Sequence, residues 1–334
     1  MTIATTTPHI EASDAPRHSA RGGEVRTGLR HLYRQYAELA KIRLNAMVLI
    51  TAGVGFIMAN PRDIHWPGLL ITLLGTGLAA VGAAAFNQLL EISRDGRMQR
   101  TRARPLPSGQ MSRTHALAFA ILTTDLGIAI LWVFVNPLTA VLGLANVLIY
   151  LLAYTPLKSR TSLNTLVGAI CGALPPMMGW AAASGRLGAG AWLLGAVLFI
   201  WQIPHFLALA WLYREDYARG GYRMLPVIDP AGRLTCLLIT LYSLALLPLA
   251  VVISLVGVAG WIFAIGALIL GAGWLLMTLH LSRTKTRTSA RRVFLASVTY
   301  LPLVLILMVF DARTPPPVMP PGAPASTPLI SLAR

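Results

Sequence analysis

Long apolar runs alternate with short polar, arginine-rich segments along most of the chain. Each run holds about twenty residues, the length that an α-helix needs to cross the roughly 30 Å hydrocarbon core of a bilayer. The runs predict nine transmembrane helices, at residues 44–60, 68–90, 115–135, 137–155, 163–184, 191–213, 235–257, 260–281 and 293–311. The breaks at Asn136-Pro137 and between Gly257 and Gly260 are short turns, so a bundle of eight helices is the alternative.

The composition supports a membrane protein. Of the 334 residues, 55% are hydrophobic and only 12% are charged, whereas soluble domains carry about 25% charged residues. We therefore expect an all-α integral membrane protein, with about nine transmembrane helices in one bundle and a central cavity that opens at the cytoplasmic side. Residues 38–311 form this membrane domain in our prediction. Residues 1–37 are predicted to be a basic, disordered tail without a cleaved signal, and residues 312–334 a disordered, proline-rich tail.

Basic residues are distributed unevenly between the predicted loops. If the N-terminus lies inside, 24 of the 28 Lys and Arg fall on the inner side. This asymmetry follows the positive-inside rule, and it predicts a multi-pass protein of the bacterial inner membrane with a cytoplasmic N-terminus. The rule also explains the net charge of +16 without a nucleic-acid partner. Cys171 and Cys236 lie in different predicted helices and are expected to be buried apolar residues.

The first stretch of candidate chemistry is NQLLEISRDGRMQRTRARPLPSG, residues 87–109, which follows the second apolar run. Asn87, Glu91 and Asp95 are spaced at i, i+4 and i+8, so on a continuing helix they share one broad face. Carboxylate and amide oxygens suit Mg²⁺, and the arginines that follow can bind phosphate oxygens in pairs. The alternative is that the two acids only form ion pairs with neighbouring arginines.

A second charged stretch, WQIPHFLALAWLYREDYARGGYRMLP, covers residues 201–226 at the end of the sixth run. Its His205 and Asp216 are eleven residues apart, which is close to three helical turns, so they share a face if the helix is continuous. The charged segment after the second helix thus recurs after the sixth, which indicates an internal duplication. Two such segments facing each other would form a diphosphate site with two metal positions.

These residues resemble a known family. The pattern N-x-x-x-E/D-x-x-x-D-x-x-M-x-R-T-x-x-R-P, from Asn87 to Pro105, is similar to the first acidic motif of UbiA-type intramembrane prenyltransferases. Its M-x-R-T-x-x-R-P-L extension resembles the branch that farnesylates protoheme IX. Residues 154–180, 201–226 and, more weakly, 38–59 resemble the same branch.

The resemblance implies transfer of a farnesyl group from farnesyl diphosphate to a vinyl group of haem b, followed by quenching of the new cation by water. It implies that Mg²⁺ is held by Asn87, Glu91, Asp95 and Asp216. It implies that the diphosphate is bound by Arg100, Arg104, Lys158 and Arg160. His205 is the candidate haem ligand, the alternative being a histidine that packs between helices beside Pro204. The expected partners are the two substrates, the lipid bilayer and a haem-modifying or cytochrome oxidase assembly protein.

The chain departs from the family pattern at a few positions. Ser93 stands where many members carry a second acid, which removes one negative charge from the first motif. Gly220 stands where other branches carry an aspartate four residues after Asp216, and Ile42 replaces a proline between Lys41 and Arg43. Two other functions are consistent with the pattern. One is a prenyltransferase for an aromatic or quinone precursor, and the other is a multi-span transporter, whose charges would be expected nearer the midplane.

Overall fold

Nine helices long and apolar enough to cross a membrane make up most of the computed structural model, which describes residues 32–313. We number them α1 (Ile42–Ala59), α2 (Trp66–Asp95), α3 (Arg113–Phe134), α4 (Pro137–Leu157), α5 (Asn164–Ser184), α6 (Ala189–Leu212), α7 (Arg233–Leu255), α8 (Trp261–Thr284) and α9 (Arg287–Phe310). The prediction of an all-α membrane protein with nine spans is confirmed. Two short helices, Arg214–Arg219 and Leu225–Ile228, lie between α6 and α7.

The two short turns that left the number of helices open, at Asn136-Pro137 and between Gly257 and Gly260, each separate two helices. The Asn136 side chain accepts a hydrogen bond of 2.8 Å from the backbone N–H of Thr139 and so caps the start of α4, where Pro137 occupies the favoured first helical position. Gly257 has a positive φ of 79° in the turn between α7 and α8, a conformation that glycine adopts without steric penalty. A side-chain cap and a glycine turn are thus enough to reverse the chain within a few residues.

The nine helices form one bundle in which sequence neighbours pack together. α2 packs on α3, α5 on α6, α6 on α7, α7 on α8, and α8 on α9. α1 packs against α2 and α5 and also touches α6 and α9, so it joins the first and last helices of the bundle. Many large apolar side chains on the outer faces of these helices are exposed, including Leu74, Leu122 and Ile269. In a membrane these faces meet lipid.

Close approach between helices depends on small residues. A Cβ atom on Gly127 of α3 would lie 2.5 Å from the Ala79 backbone nitrogen and 2.6 Å from the Gly75 carbonyl oxygen, both on α2. Gly179 of α5 similarly abuts the carbonyl oxygen of Ala52 in α1. Such contacts between backbones are typical of transmembrane helices, where packing replaces the hydrophobic effect as the force for association.

The inner part of α4 is not a regular α-helix. Residues Ile149–Tyr154 form a π-helical segment, a type of turn that often occurs at functional sites. The hydroxyl of Thr155 donates to the Tyr150 carbonyl oxygen at 2.8 Å and accepts a bond of 3.1 Å from the Asn87 amide of α2. The irregular turn is thereby fixed against the helix that carries the first acidic motif.

Basic residues concentrate at one end of the bundle. This end, which we call the basic end, holds the loops 96–112, 158–163, 213–232 and 285–286. Among the described Lys and Arg, only Arg62, Arg186 and Arg313 lie at the opposite end. Cys171 and Cys236 are free and buried, as expected.

The largest differences between the predicted and observed segments are at three places. α2 continues to Asp95 and ends before the arginines that follow, and α9 begins at Arg287 rather than near residue 293. The described part of the predicted N-terminal tail, residues 32–37, is helical. The rest of both predicted tails lies outside the described residues.

Candidate active site

A cavity of about 390 Å³ extends from the basic end into the bundle, between α1, α2, α4, α5 and α6. Its deep part is lined mainly by small and apolar residues, among them Ala79, Ala83, Gly143 and Met178. Its mouth is lined by charged residues of the basic end. The cavity can therefore accept an amphiphilic anion, with the apolar part inside the membrane and the anionic part at the mouth.

The three residues of the first acidic motif share one face of α2 at this mouth. Asn87, Glu91 and Asp95 all line the cavity and are only 0%, 4% and 1% exposed. The helix continues through all three positions because no proline or glycine interrupts residues 83–95. The predicted helical face is confirmed.

Each of these polar groups contacts a cation from another part of the chain. Lys158, after α4, lies 2.9 Å from a Glu91 carboxylate oxygen. Arg104 lies 2.7 Å from an Asp95 carboxylate oxygen, and the Lys41 ammonium donates to the Asn87 side-chain oxygen at 2.7 Å. Buried carboxylates need such partners, because an unpaired charge in a low dielectric is strongly disfavoured.

The cationic side chains outnumber the acids around the mouth. Arg100 also lines the cavity, and its guanidinium lies 5.0 Å and 5.3 Å from the ring centroids of Tyr213 and Tyr217. Burial by itself would lower the pKa of Arg100, but the two tyrosines and Asp216 raise it. The mouth thus keeps an excess of positive charge that can bind a diphosphate.

Of the four predicted diphosphate ligands, Arg100, Arg104 and Lys158 line the cavity, but Arg160 does not. Arg160 is exposed and is not among the residues that line the cavity. It follows Lys158 by two positions in a turn beyond the end of α4, so the two side chains leave the backbone in different directions.

Asp216 is placed differently from the prediction. Its carboxylate accepts hydrogen bonds from the backbone N–H groups of Gln99, at 2.9 Å, and Arg100, at 3.2 Å, and it pairs with Arg219 at 2.6 Å. It does not line the cavity. The two charged loops do meet, as expected, but Asp216 contributes by holding the backbone of the first loop.

Hydrogen bonding also determines the ionisation of Asp216. Burial by itself would raise its pKa, but the hydrogen bonds from Arg219 and from the two backbone N–H groups outweigh this, so the pKa lies below its ordinary value of 3.8. The carboxylate is therefore ionised at neutral pH.

His205 is also separated from the cavity. Its Nδ1 atom lies 2.7 Å from the Ser297 hydroxyl of α9, and its ring is stacked on Trp201 with 4.7 Å between centroids. α6 ends at Leu212, before the short helix of Asp216 begins, so the continuous helix on which a shared face of His205 and Asp216 depended is not present. This placement favours the packing alternative and does not support His205 as the haem ligand.

Several residues of the cavity have no role predicted from the sequence. Lys41, Tyr150, Tyr154 and Gln202 all line it. The two tyrosines lie in the π-helical segment with 5.4 Å between ring centroids, and Lys158 lies 4.5 Å from the Tyr154 centroid. In the sequence, Lys41 is a lysine at the start of the first apolar run, and the two tyrosines form a pair before Lys158. Neither feature has a spacing that indicates a binding site.

The donor atoms at the mouth fit a hard divalent cation. Two carboxylates and an amide oxygen on one helical face match the ligands that Mg²⁺ uses together with phosphate oxygens and water. The described residues contain no group of three or more His, Cys, Asp or Glu that could hold a metal by itself.

The fold and the cavity together define the class of this protein. It is an integral membrane protein whose helices enclose a largely apolar cavity with an anion-binding mouth next to buried carboxylates. Residues 48–301 match the model of the UbiA prenyltransferase family. The chain belongs to this family.

Comparisons with individual proteins agree with that membership. The chain is 44% identical over 287 residues to "Protoheme IX farnesyltransferase" of Solibacter usitatus (strain Ellin6076), which covers 83% of this chain and 98% of that protein. Its fold is similar to digeranylgeranylglyceryl phosphate synthase, with a TM-score of 0.71 at 16% identity over 84% of this chain and 98% of that one. It is also similar to a UbiA homolog from Archaeoglobus fulgidus bound to GPP and Mg²⁺, with a TM-score of 0.58 at 15% identity over 82% and 99% of the two chains.

Proposed function

We propose that this protein transfers the farnesyl group of farnesyl diphosphate to a vinyl group of haem b, forming haem O. The observation that carries the proposal is the charged mouth of the apolar cavity, where Glu91, Asp95 and four cations meet. The 44% identical relative named as a protoheme IX farnesyltransferase supports the choice of acceptor.

In this proposal the chain binds the two ends of the prenyl diphosphate differently. Lys41, Arg100, Arg104 and Lys158 bind the diphosphate at the mouth, and the farnesyl chain lies in the deep apolar part. Asn87, Glu91 and Asp95 would hold Mg²⁺, which when bound would neutralise charge on the departing diphosphate. The Archaeoglobus fulgidus relative, whose structure contains GPP and Mg²⁺, supports this assignment of the metal.

The apolar walls protect the reaction from water. Breaking the allylic C–O bond leaves a carbocation that water would intercept, so the reacting carbon must lie in a dry environment. The vinyl group of haem b attacks this carbon, which leaves a cation on the former vinyl group. A water molecule adds to that cation and loses a proton, so that a hydroxyl group remains. The product carries a hydroxyethylfarnesyl group.

We further propose that the basic end faces the cytoplasm of a bacterial cell and that the haem O product passes to a haem-modifying or oxidase assembly protein. The support for the orientation is the uneven distribution of Lys and Arg, because basic loops are retained on the cytoplasmic side. A product with an added farnesyl chain is poorly soluble in water, so transfer within the membrane is favoured.

The direct test incubates the purified protein with haem b, farnesyl diphosphate and Mg²⁺, and analyses extracted haem by mass spectrometry. We expect a haem heavier by one farnesyl group and one hydroxyl group, and no such product when a chelator removes Mg²⁺. Glu91→Gln should remove most of the turnover, because Lys158 loses its charged partner and the metal loses a ligand. A folded wild-type protein that prenylates an aromatic acid and leaves haem unchanged would overturn the proposal.

A further inference from the structure

A second cavity of about 490 Å³ lies at the basic end, next to the candidate active site. It is lined by five cationic residues, Arg100, Arg214, Arg219, Lys285 and Arg287, and by only two acids, Glu215 and Asp216. Within residues 32–313, Arg219 is the only one of these cations that forms an ion pair, and its partner is Asp216. The cavity therefore has an excess of positive charge available to a ligand. We call it the basic pocket.

The positive-inside rule explains basic residues in these loops, but it does not explain why they surround one concavity. The cations come from three separate parts of the chain, namely the loop after α2, the segment after α6, and the α8–α9 turn. Lys285 adopts a positive φ of 49° in that turn, which is unfavourable for a residue with a side chain. Arg214 is held with its guanidinium 5.5 Å from the Trp211 ring centroid.

Arg100 connects the basic pocket with the active-site cavity, since it lines both. Ligand pockets for one small molecule measure about 300 to 1,000 Å³, and the active-site cavity of about 390 Å³ is near the lower end of this range, the size for a prenyl diphosphate alone. A haem that reacts at the mouth of this cavity would place one edge there, with the rest of the macrocycle outside. The basic pocket adjoins that position.

Haem b has its vinyl groups and its two propionates on opposite edges of the macrocycle. A haem with a vinyl group directed to the mouth therefore presents two carboxylates to the surroundings. We propose that the basic pocket binds the propionates of haem b, with Arg214 and Arg287 as the main ligands. Arginine is suited to this role because its planar guanidinium pairs with a carboxylate through two parallel hydrogen bonds. This inference rests on the proposed function and adds the site of the acceptor.

The test compares haem b with its dimethyl ester, which keeps both vinyl groups and lacks the two negative charges. Binding to the purified wild-type protein in lipid-free detergent is followed by the absorption spectrum of the haem. We expect wild type to bind haem b about tenfold more tightly than the ester, the ratio that corresponds to loss of one charge-assisted hydrogen bond. Equal affinities for the two compounds would overturn the proposal without any variant.

Variants then locate the carboxylate ligands. Arg214→Gln and Arg287→Gln should each weaken binding of haem b about tenfold and leave the affinity for the dimethyl ester unchanged. The matched control is Arg291→Gln, which removes an exposed arginine one turn further along α9 that lines neither cavity. Unchanged affinity for farnesyl diphosphate shows that each variant is folded. If all three variants bind haem b equally well, the proposal is wrong.

An anionic phospholipid would be recognised by the same charges and is the other outcome of the experiment. If wild type retains phosphatidylglycerol through purification and Arg287→Gln loses it, while haem affinity is unchanged, the pocket is a lipid site and the proposal fails. The proposed function is judged separately. If wild type forms no farnesylated haem, that function fails, whereas turnover that is insensitive to Arg214→Gln and Arg287→Gln contradicts only the propionate site.

Discussion

At the scale of single residues, Ser93 shows how position on a helix decides a chemical role. It lies two positions from both Glu91 and Asp95, which is about 200° around an α-helix. Ser93 is exposed and does not line the cavity, whereas the two acids are buried and do. The acid that many family members carry at this position would therefore not contact a metal held by Glu91 and Asp95.

We expect Ser93→Asp to leave the Mg²⁺ concentration for half-maximal activity unchanged, because the added carboxylate faces away from the mouth. Glu91→Gln is the comparison, since it removes a carboxylate from the cavity face and should raise that concentration. The measurement is turnover against Mg²⁺ concentration at saturating farnesyl diphosphate. If Ser93→Asp instead lowers the Mg²⁺ concentration for half-maximal activity, residue 93 faces the metal, and the end of α2 is rotated relative to this structure.

Asp216 is expected to act through the loop that it holds. Asp216→Ala frees the backbone N–H groups of Gln99 and Arg100, so the arginines of that loop lose their fixed positions. The KM for farnesyl diphosphate should rise about tenfold, as for loss of one hydrogen bond to a charged group. The Mg²⁺ dependence at saturating substrate should not change. An unchanged KM for farnesyl diphosphate together with a higher Mg²⁺ requirement would identify Asp216 as a metal ligand.

The same carboxylate predicts a dependence of stability on pH. The pKa of Asp216 is lower in the folded protein than its ordinary value of 3.8, so its contribution is fully present above that value. The contribution is lost as the pH falls through the lower, folded-state pKa. The difference in unfolding temperature between wild type and Asp216→Ala should therefore be constant from pH 7 to about 5 and shrink only in stronger acid. A difference that declines already near neutral pH would contradict this.

At the scale of helices, contact between α2 and α3 depends on Gly127. Adding a side chain there forces the Ala79 and Gly75 backbones apart. We expect Gly127→Val to destabilise the protein by about 1–3 kcal/mol, the usual effect of overpacking, seen as a lower unfolding temperature in detergent. Gly273→Val is the control, because a Cβ atom at Gly273 would meet nothing within 4 Å. Equal unfolding temperatures for the two variants would show that α2 and α3 can move apart without loss of stability.

At the scale of the whole molecule, the orientation in the membrane can be measured with cysteine variants. Ser108 lies in an exposed loop of the basic end, and Arg186 is exposed at the other end. A membrane-impermeant maleimide should label Arg186→Cys on intact cells and Ser108→Cys only in inverted vesicles. The native Cys171 and Cys236 are buried and should give little background. The opposite labelling pattern would reverse the proposed orientation.

The face that carries Asn87, Glu91 and Asp95 could be predicted from the sequence, and so could the number of helices, as nine with eight as the alternative. Both follow from local rules, since an apolar run of about twenty residues spans a bilayer and residues four apart lie on one side of a helix. The family resemblance added the expected chemistry, and the family itself is confirmed.

Contacts between residues distant in the sequence could not be predicted, because they depend on how the helices pack. Lys41 and Lys158 reach the first acidic motif from other helices, Asp216 binds the backbone of the preceding loop, and His205 pairs with Ser297. None of these contacts has a sequence spacing that reveals it, because each depends on how two helices rotate about their axes when they pack. α6 ends at Leu212, between His205 and Asp216, which a continuous helix would have placed on one face.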